Sequence, residues 1–366
     1  QTPLVGTATA MRTALLLCFV VLALAAMALA MPQISQIRQI RQVLPQIDSD
    51  AEAQSFLELV QKEINHREAH PAEFDDTVNI PKWDCEPFAP SPKVPTSVHK
   101  LLPGDIKVIS ALGDSLTAAF GAKAGSIFSI FTEYRGVSWS VGGDKSLDDG
   151  VVTLTNIMRK YNPDIIGFST GTGKADTTNS HLNQAVSGAV SKDLLGQAKN
   201  LISRMKAANS GVDFEQDWKM LTIWVGPNNL CDVCKKPEEN SVETHGAEIE
   251  AVLDYLKANL PRVFVNLVPT LDVTLLYPLK NGVCGLLHNF ECKCGASSDA
   301  KVREMVSRTA TEYQSKLFEI VQKSKYIDDS FTVVVQPWTV NTEIPTKADG
   351  SLDSSYFAPD CFHFAA

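Results

Sequence analysis

From about residue 106 onward, short apolar runs alternate with longer amphipathic stretches. Ile106 to Ala111, Met220 to Val225, Val263 to Leu267 and Phe331 to Val335 are near-continuous hydrophobic runs of strand length. Runs of that kind belong to strands buried on both faces. Between and after them, the apolar positions recur at helical spacing over Leu116 to Lys123, Val151 to Tyr161, Lys192 to Ala208, Glu243 to Leu260 and Asp299 to Lys325. Strand and helix in alternation predict an α/β fold, a doubly wound, mainly parallel sheet flanked by helices. The Gly-, Ser- and Thr-rich stretch from Gly136 to Ser180 is too long for a simple connection and is expected to loop over a site. No internal repeat and no low-complexity tract interrupts the pattern.

Upstream the pattern changes. Ile34, Ile37, Ile40, Val43 or Leu44, and Ile47 recur every three to four positions, and Phe56, Leu57, Val60 and Ile64 repeat the spacing, which predicts two amphipathic helices. A packed arm, a pro-segment and a docking helix all fit this pattern. Ala89-Pro-Ser-Pro-Lys-Val-Pro95 then forms a stiff extended link. Met11 to Ala30 has a cationic start at Arg12, an apolar centre and a small-x-small ending at Ala28-Leu29-Ala30, the pattern of a secretory signal peptide. Its apolar run is short for a membrane span and no strong cationic stop follows. Three segments are therefore expected: residues 1–30, upstream sequence and signal with the start at Met11; 31–103, a helical arm and Pro-rich link; and 104–366, the main α/β domain.

With 366 residues, 44% hydrophobic and 20% charged, the chain has ordinary globular composition and length enough for one large α/β domain. Its net charge of -9 argues against nucleic acid as a partner, and no basic run points to docking on an anionic membrane. Of eight cysteines, Cys18 lies within the signal; the rest are Cys85, Cys231, Cys234, Cys284, Cys292, Cys294 and Cys361. Export makes disulfides the expected state, against the alternative of a zinc site on Cys231-x-x-Cys234 and Cys292-x-Cys294. Cys284, Cys292 and Cys294 are expected to make a local loop. Cys361 is expected to bridge to a distant segment such as Cys85.

The first predicted strand ends at Gly113-Asp114-Ser115-Leu116, delivering a serine to the sheet's carboxyl end, where open α/β sheets place their sites. A serine hydroxyl needs a base, and the base needs a third group to hold its tautomer. Asp360-x-x-His363 supplies both, three positions apart, so one helical turn or tight loop puts them on one face. None of the other histidines has an Asp at this offset in such a setting.

Taken in order, Gly113-Asp-Ser-Leu116, Asn183-Gln-Ala-Val-Ser-Gly188, Gly226-Pro-Asn-Asn229 and Pro359-Asp-Cys-Phe-His-Phe364 resemble the blocks of the GDSL (SGNH) hydrolases, in the wording of their phospholipase B-like branch. The resemblance covers Thr96 to Phe364. It implies a three-layer sandwich with Ser115 as nucleophile, His363 as base and Asp360 as its orienter. It also implies an oxyanion hole from the Ser115 and Gly188 N–H groups and the Asn228 amide, with Gly143 ranked behind Gly188. No metal and no cofactor are expected. The implied substrates are acyl esters of phospholipids and lysophospholipids, met by transient contact with a lipid interface. A general carboxylesterase or lipase, and a catalytically silent lipid-binding protein, are the alternatives; oligomeric state has no signal in the sequence. The chain departs from the pattern at Asn229, where an Asp is usual, which puts that residue's local hydrogen bonds in doubt. The family pattern also runs into a closing helix past Ala366, so the domain is expected to be truncated.

Overall fold

The computed structural model describes residues 49–70, 83–126, 129–279 and 282–366. The signal-like stretch and the helix expected around Ile34 to Ile47 lie outside the described residues. Four parallel strands, β1 (Ile106–Gly113), β2 (Trp218–Trp224), β3 (Val263–Val268) and β4 (Phe331–Val335), pair in sequence order. All four expected strands are present. Every residue of β2 is buried, as its unbroken apolar run requires. The free edge of β1 is occupied by isolated parallel bridges, Val108 to Ile166 and Ala111 to Asn183. The chain thus leaves β1 on one side and returns on the other with β2. That reversal is the point at which a doubly wound sheet opens a crevice beyond its strands' carboxyl ends.

Helices cover one face of the sheet: α4 (Leu194–Met205), α6 (Val242–Asn259) and α8 (Ala300–Val321). Leu194, Ala198, Leu201, Ile202 and Met205 form the buried stripe of α4, and Ile249, Val252, Leu253 and Leu256 that of α6; they meet Val108, Leu221 and Val265 in the main core. The opposite face packs Ile109, Ala111 and Met220 against Val98, Val141, Ile165 and Met158, the last from the short α3 (Leu154–Met158). The Pro-rich link is fastened there too: Trp218 Nε1 donates to Pro95 O (2.8 Å) and Ser91 bonds both oxygens of Asp105 (2.8 Å each).

The remaining helices differ from the sequence expectation. The helix expected over Leu116 to Lys123 is a single turn, α2 (Ser115–Ala118), because Ala119 takes a left-handed backbone conformation (φ 56°) and ends it. The amphipathic pattern at Phe56 to Ile64 does form α1 (Asp50–Ala69), capped by Ser49, whose Oγ accepts the Glu52 N–H. Two further helices have no counterpart in the expected set. They are α5 (Pro227–Asp232) and α7 (Gly282–Glu291). The second packs on α1 through Cys284, Leu287 and Phe290 against Phe56, Leu57 and Val60.

The cysteine expectations are corrected by the pairing. Cys231 bonds Cys292, Cys234 bonds Cys294 and Cys284 bonds Cys361, leaving Cys85 free and exposed. Cys284, Cys292 and Cys294 therefore make no local loop, since each reaches 60 or more residues along the chain. Cys85 is not the partner of Cys361, because α7 brings Cys284 against the final loop instead. The four cysteines weighed as a zinc set are consumed in two disulfides.

α1 also grips that final loop directly. Arg67 donates to Phe357 O (2.7 Å) and Ala358 O (3.2 Å) while paired to the buried Glu63 (3.0 Å). Peptide mapping under non-reducing conditions should recover the three pairs above, and a peptide joining Cys85 to Cys361 would contradict the fold. Arg67→Ala removes two charge-assisted bonds and strands Glu63. Urea denaturation should show a loss of about 1–3 kcal/mol.

Candidate active site

Gly113 closes β1 because nothing larger fits: a Cβ there would stand 2.5 Å from Trp224 O and 2.6 Å from Thr117 Oγ1. Its backbone is gripped at both ends by one side chain, Gln197 of α4, which accepts from Gly113 N (2.9 Å) and donates to Gly113 O (2.8 Å). Asp114 follows as N-cap, its Oδ1 accepting the Leu116 N–H at 3.0 Å. Ser115 is therefore the first residue of α2, only 4% exposed, and its own N–H has no intrahelical partner.

The facing group comes from the other end of the chain. Asp360 is fully buried, and three donors converge on it: the N–H groups of Phe362 (3.1 Å) and His363 (3.0 Å) on Oδ1, and His363 Nδ1 (2.7 Å) on Oδ2. The backbone turn that permits this passes through Cys361 in a left-handed conformation (φ 63°), where non-glycine residues are uncommon. A carboxylate only accepts, so Nδ1 carries the proton and Nε2 presents a lone pair. Ser115 Oγ donates to that Nε2 at 2.7 Å, across 248 residues of sequence.

Burial alone would raise the Asp360 carboxyl above the ordinary range. The His363 charge and hydrogen bond, with the Phe362 and His363 N–H groups, more than offset it and hold the group low, so Asp360 is ionised. Glu291 of α7 has the opposite fate. It is buried with an oxygen within 4.8 Å of ligating atoms on Asp360 and His363, and burial together with the Asp360 charge pushes it well above the usual carboxylate range. His288, three residues earlier, is held below the usual histidine range by burial, and its Nε2–H donates to Cys361 O (2.8 Å). A disulfide, an imidazole and a buried carboxyl from one helix thus back the loop that carries Asp360 and His363.

Gly188 and Asn228 line one cavity together. Gly188 (φ 82°) lies two residues past Val186, whose N–H bonds Gly113 O at 3.1 Å, and no acceptor among the described residues takes the Gly188 N–H. Asn228 opens α5 at the end of β2, with Nδ2 bonded to Ala189 O (3.0 Å). Gly143, the lower-ranked candidate, spends its N–H on Ser169 O (2.9 Å). Asn229 takes up the local bonds left in doubt: its Oδ1 accepts from Ser191 N (3.1 Å) and its Nδ2 donates to Ser191 Oγ (3.1 Å) and Asn240 Oδ1 (2.9 Å).

A family model of the GDSL-like lipases and acylhydrolases matches residues 109–366, the span holding every group just described. The chain belongs to the GDSL-like lipase/acylhydrolase family. It is 42% identical over 293 residues to the membrane-associated phospholipase B1 of Rattus norvegicus, covering 77% of this chain and 20% of that protein. The Homo sapiens protein of the same name is 42% identical over 291 residues, with the same shares of 77% and 20%. The chain spans about a fifth of the length of these relatives.

Several residues that shape this candidate site carry no signal in the sequence. Arg135 is fully buried and donates to Gly173 O (2.5 Å), Asn183 O (2.9 Å), Ala185 O (2.7 Å) and Glu133 Oε2 (2.8 Å). Glu133 Oε1 in turn accepts from Ser187 Oγ (2.6 Å), so one buried ion pair clamps the strand-like run that ends at Gly188. Only the folded loop identifies them, since a lone Arg-Gly pair in a polar stretch is unremarkable on its own.

Asp114 is the other such residue. Burial raises its carboxyl to about 7, against the lowering effect of the Leu116 N–H and the His363 charge, and Oδ2 has no hydrogen-bond partner among the described residues. Between its ordinary value of 3.8 and about 7 the folded protein keeps a proton that the unfolded chain has lost, so this group's effect is a fall in stability as pH rises through that window. Asp114→Asn keeps the cap acceptor and removes the titration. Urea denaturation at pH 4, 6 and 8 should show the variant gaining on the parent as pH rises; a constant difference would contradict the assignment.

Proposed function

We propose that this chain is a serine hydrolase that cleaves acyl esters of phospholipids and lysophospholipids through an acyl-enzyme. The observation that carries the reading is the unbroken line Asp360 Oδ2, His363 Nδ1, His363 Nε2, Ser115 Oγ, with both links at 2.7 Å and every member buried. Ser115 Oγ attacks the ester carbonyl as its proton passes to His363 Nε2. The imidazolium so formed is stabilised by ionised Asp360 and returns the proton to the departing alcohol. Water then repeats the sequence on the acyl-enzyme, releasing a fatty acid. The N–H groups of Ser115 and Gly188 and the amide of Asn228 are the donors for the developing oxyanion, each worth on the order of a hundred- to thousandfold in rate. None of these steps calls for a metal or cofactor, so turnover of a soluble ester is expected to persist in EDTA.

A lipid substrate is supported by an apolar groove of about 380 Å³ lined by the sequence neighbours of Ser115 and His363. Leu116, next to Ser115, and Phe362 and Phe364, on either side of His363, line it together with Pro227, Trp338 and Ile344. An acyl chain entering there loses contact with water along its length, at about 0.8 kcal/mol per buried methylene. Trp338 and Tyr356 at the groove are 49% and 45% exposed, amphipathic aromatics suited to brief contact with a lipid interface. Export fits the three disulfides, and no helix among the described residues is long and apolar enough to cross a membrane.

Labelling with a fluorophosphonate tests the chemistry, because the probe phosphorus takes the place of the acyl carbon. The parent protein should label at one serine. Ser115→Ala should abolish labelling and His363→Ala nearly so, while Asp360→Asn should depress turnover by about 10⁴ through the wrong imidazole tautomer. Asn228→Ala should lower kcat more than it raises KM. A folded, disulfide-bonded protein that refuses the probe and hydrolyses no acyl ester would end the hydrolase reading.

A further inference from the structure

A second cavity lies beside the candidate oxyanion donors Gly188 and Asn228. The adjacent residues Pro227 and Asn228, at the start of α5, divide the two: Pro227 lines the apolar groove, whereas Asn228 and Gly188 line a polar cavity of about 410 Å³. An ester held with its carbonyl oxygen on the candidate oxyanion donors has an acyl side and an alcohol side. With the apolar side taken by the acyl chain, the alcohol and whatever it carries project into the polar cavity.

The charges of that cavity are balanced. Lys192, Lys235 and Lys236 face Asp193, Asp232 and Glu239. Lys236 pairs with Asp232 at 3.0 Å, and Asp193 is committed to the Val190 N–H at 2.9 Å. Lys192 and Glu239 are 3.9 Å apart and 62% and 64% exposed, a contact worth little in water and readily exchanged. Lys235 is exposed, and no carboxylate among the described residues pairs with it. A cavity offering one uncommitted cation and one loosely held carboxylate attracts both ends of a dipolar group. It offers no net attraction to a polyanion and only desolvation cost to a neutral one.

We propose that this cavity is the headgroup site for a zwitterionic glycerophospholipid, with Lys235 on the phosphoryl group and Glu239 on the cationic end. The assignment rests on the hydrolase reading above and deepens it: Ser115 and His363 decide whether an ester is cut, and the charged cavity decides which alcohol it carries. Phosphoryl oxygens accept from the ammonium of Lys235, and Glu239 leaves Lys192 for the ligand's ammonium. Electrostatic selectivity of this kind weakens with salt, whereas acyl-chain burial does not.

The experiment compares three monomeric substrates bearing one acyl chain, lysophosphatidylcholine, lysophosphatidylglycerol and monoacylglycerol, on single preparations of the full chain. The readout is the ratio of kcat/KM values, which cancels any difference in folded fraction between variants. The parent should prefer the choline lipid, and the preference should shrink as salt rises. Lys235→Glu should cut the ratio of lysophosphatidylcholine to monoacylglycerol about tenfold, through KM. Glu239→Lys should move the preference toward lysophosphatidylglycerol. Ratios within twofold of the parent in both variants would overturn the headgroup site while leaving the hydrolase intact. Failure of the parent to cleave any of the three would instead overturn the hydrolase reading on which the site depends.

Discussion

A carboxylate with no access to water is costly unless every lone pair that matters is satisfied. Asp360 meets that condition with three donors, two of them backbone N–H groups of the same tight turn and the third the imidazole it orients. The turn, the charge and the ring are therefore one unit: the N–H groups keep Asp360 ionised, and ionised Asp360 fixes which nitrogen of His363 faces Ser115. The rest of the structure reads as the means of keeping this unit dry and in place.

Support arrives from parts of the chain far apart in sequence. α7 contributes the Cys284–Cys361 disulfide, the His288 bond to Cys361 O and the buried Glu291. α1 contributes Arg67 on the carbonyls of Phe357 and Ala358. A loop is ordinarily the least protected part of a domain, and a hydrogen-bonded line with 2.7 Å links tolerates little movement. A disulfide to one helix and guanidinium hydrogen bonds from another tie this loop to the body of the domain. The amino-terminal α1 thereby becomes part of the site's support.

The nucleophile side is built on a different principle, close approach of backbones. Gly113 lets β1 end against β2 and Thr117, and Gln197 holds its peptide from both sides, so the N–H of Ser115 points out at a fixed place. The Arg135–Glu133 pair does the same for the run leading to Gly188. The two cavities that meet at Pro227 and Asn228 differ in kind, the one lined by Leu116 and Phe364 nearly all apolar and the one lined by Lys235 and Glu239 charged.

What the sequence determined by itself is what short range decides. The strand runs were legible because a strand buried on both faces must be apolar throughout. Ser115 was legible as a residue at a strand's carboxyl end, and Asp360 with His363 because a three-residue offset brings two side chains together in any tight turn. Tertiary structure decided the rest, for reasons that are non-local. α2 stops after one turn because Ala119 adopts a left-handed conformation that no periodicity records. Cys361 joins Cys284 because α7 packs on α1 beside the final loop, a placement no cysteine spacing encodes. Arg135 and Glu133 gain their role from burial, which desolvates both and leaves each the other's best partner. The same burial pushes the carboxyls of Asp114 and Glu291 above the ordinary carboxylate range, since the cost of a charge depends on what surrounds it and not on its neighbours in the chain.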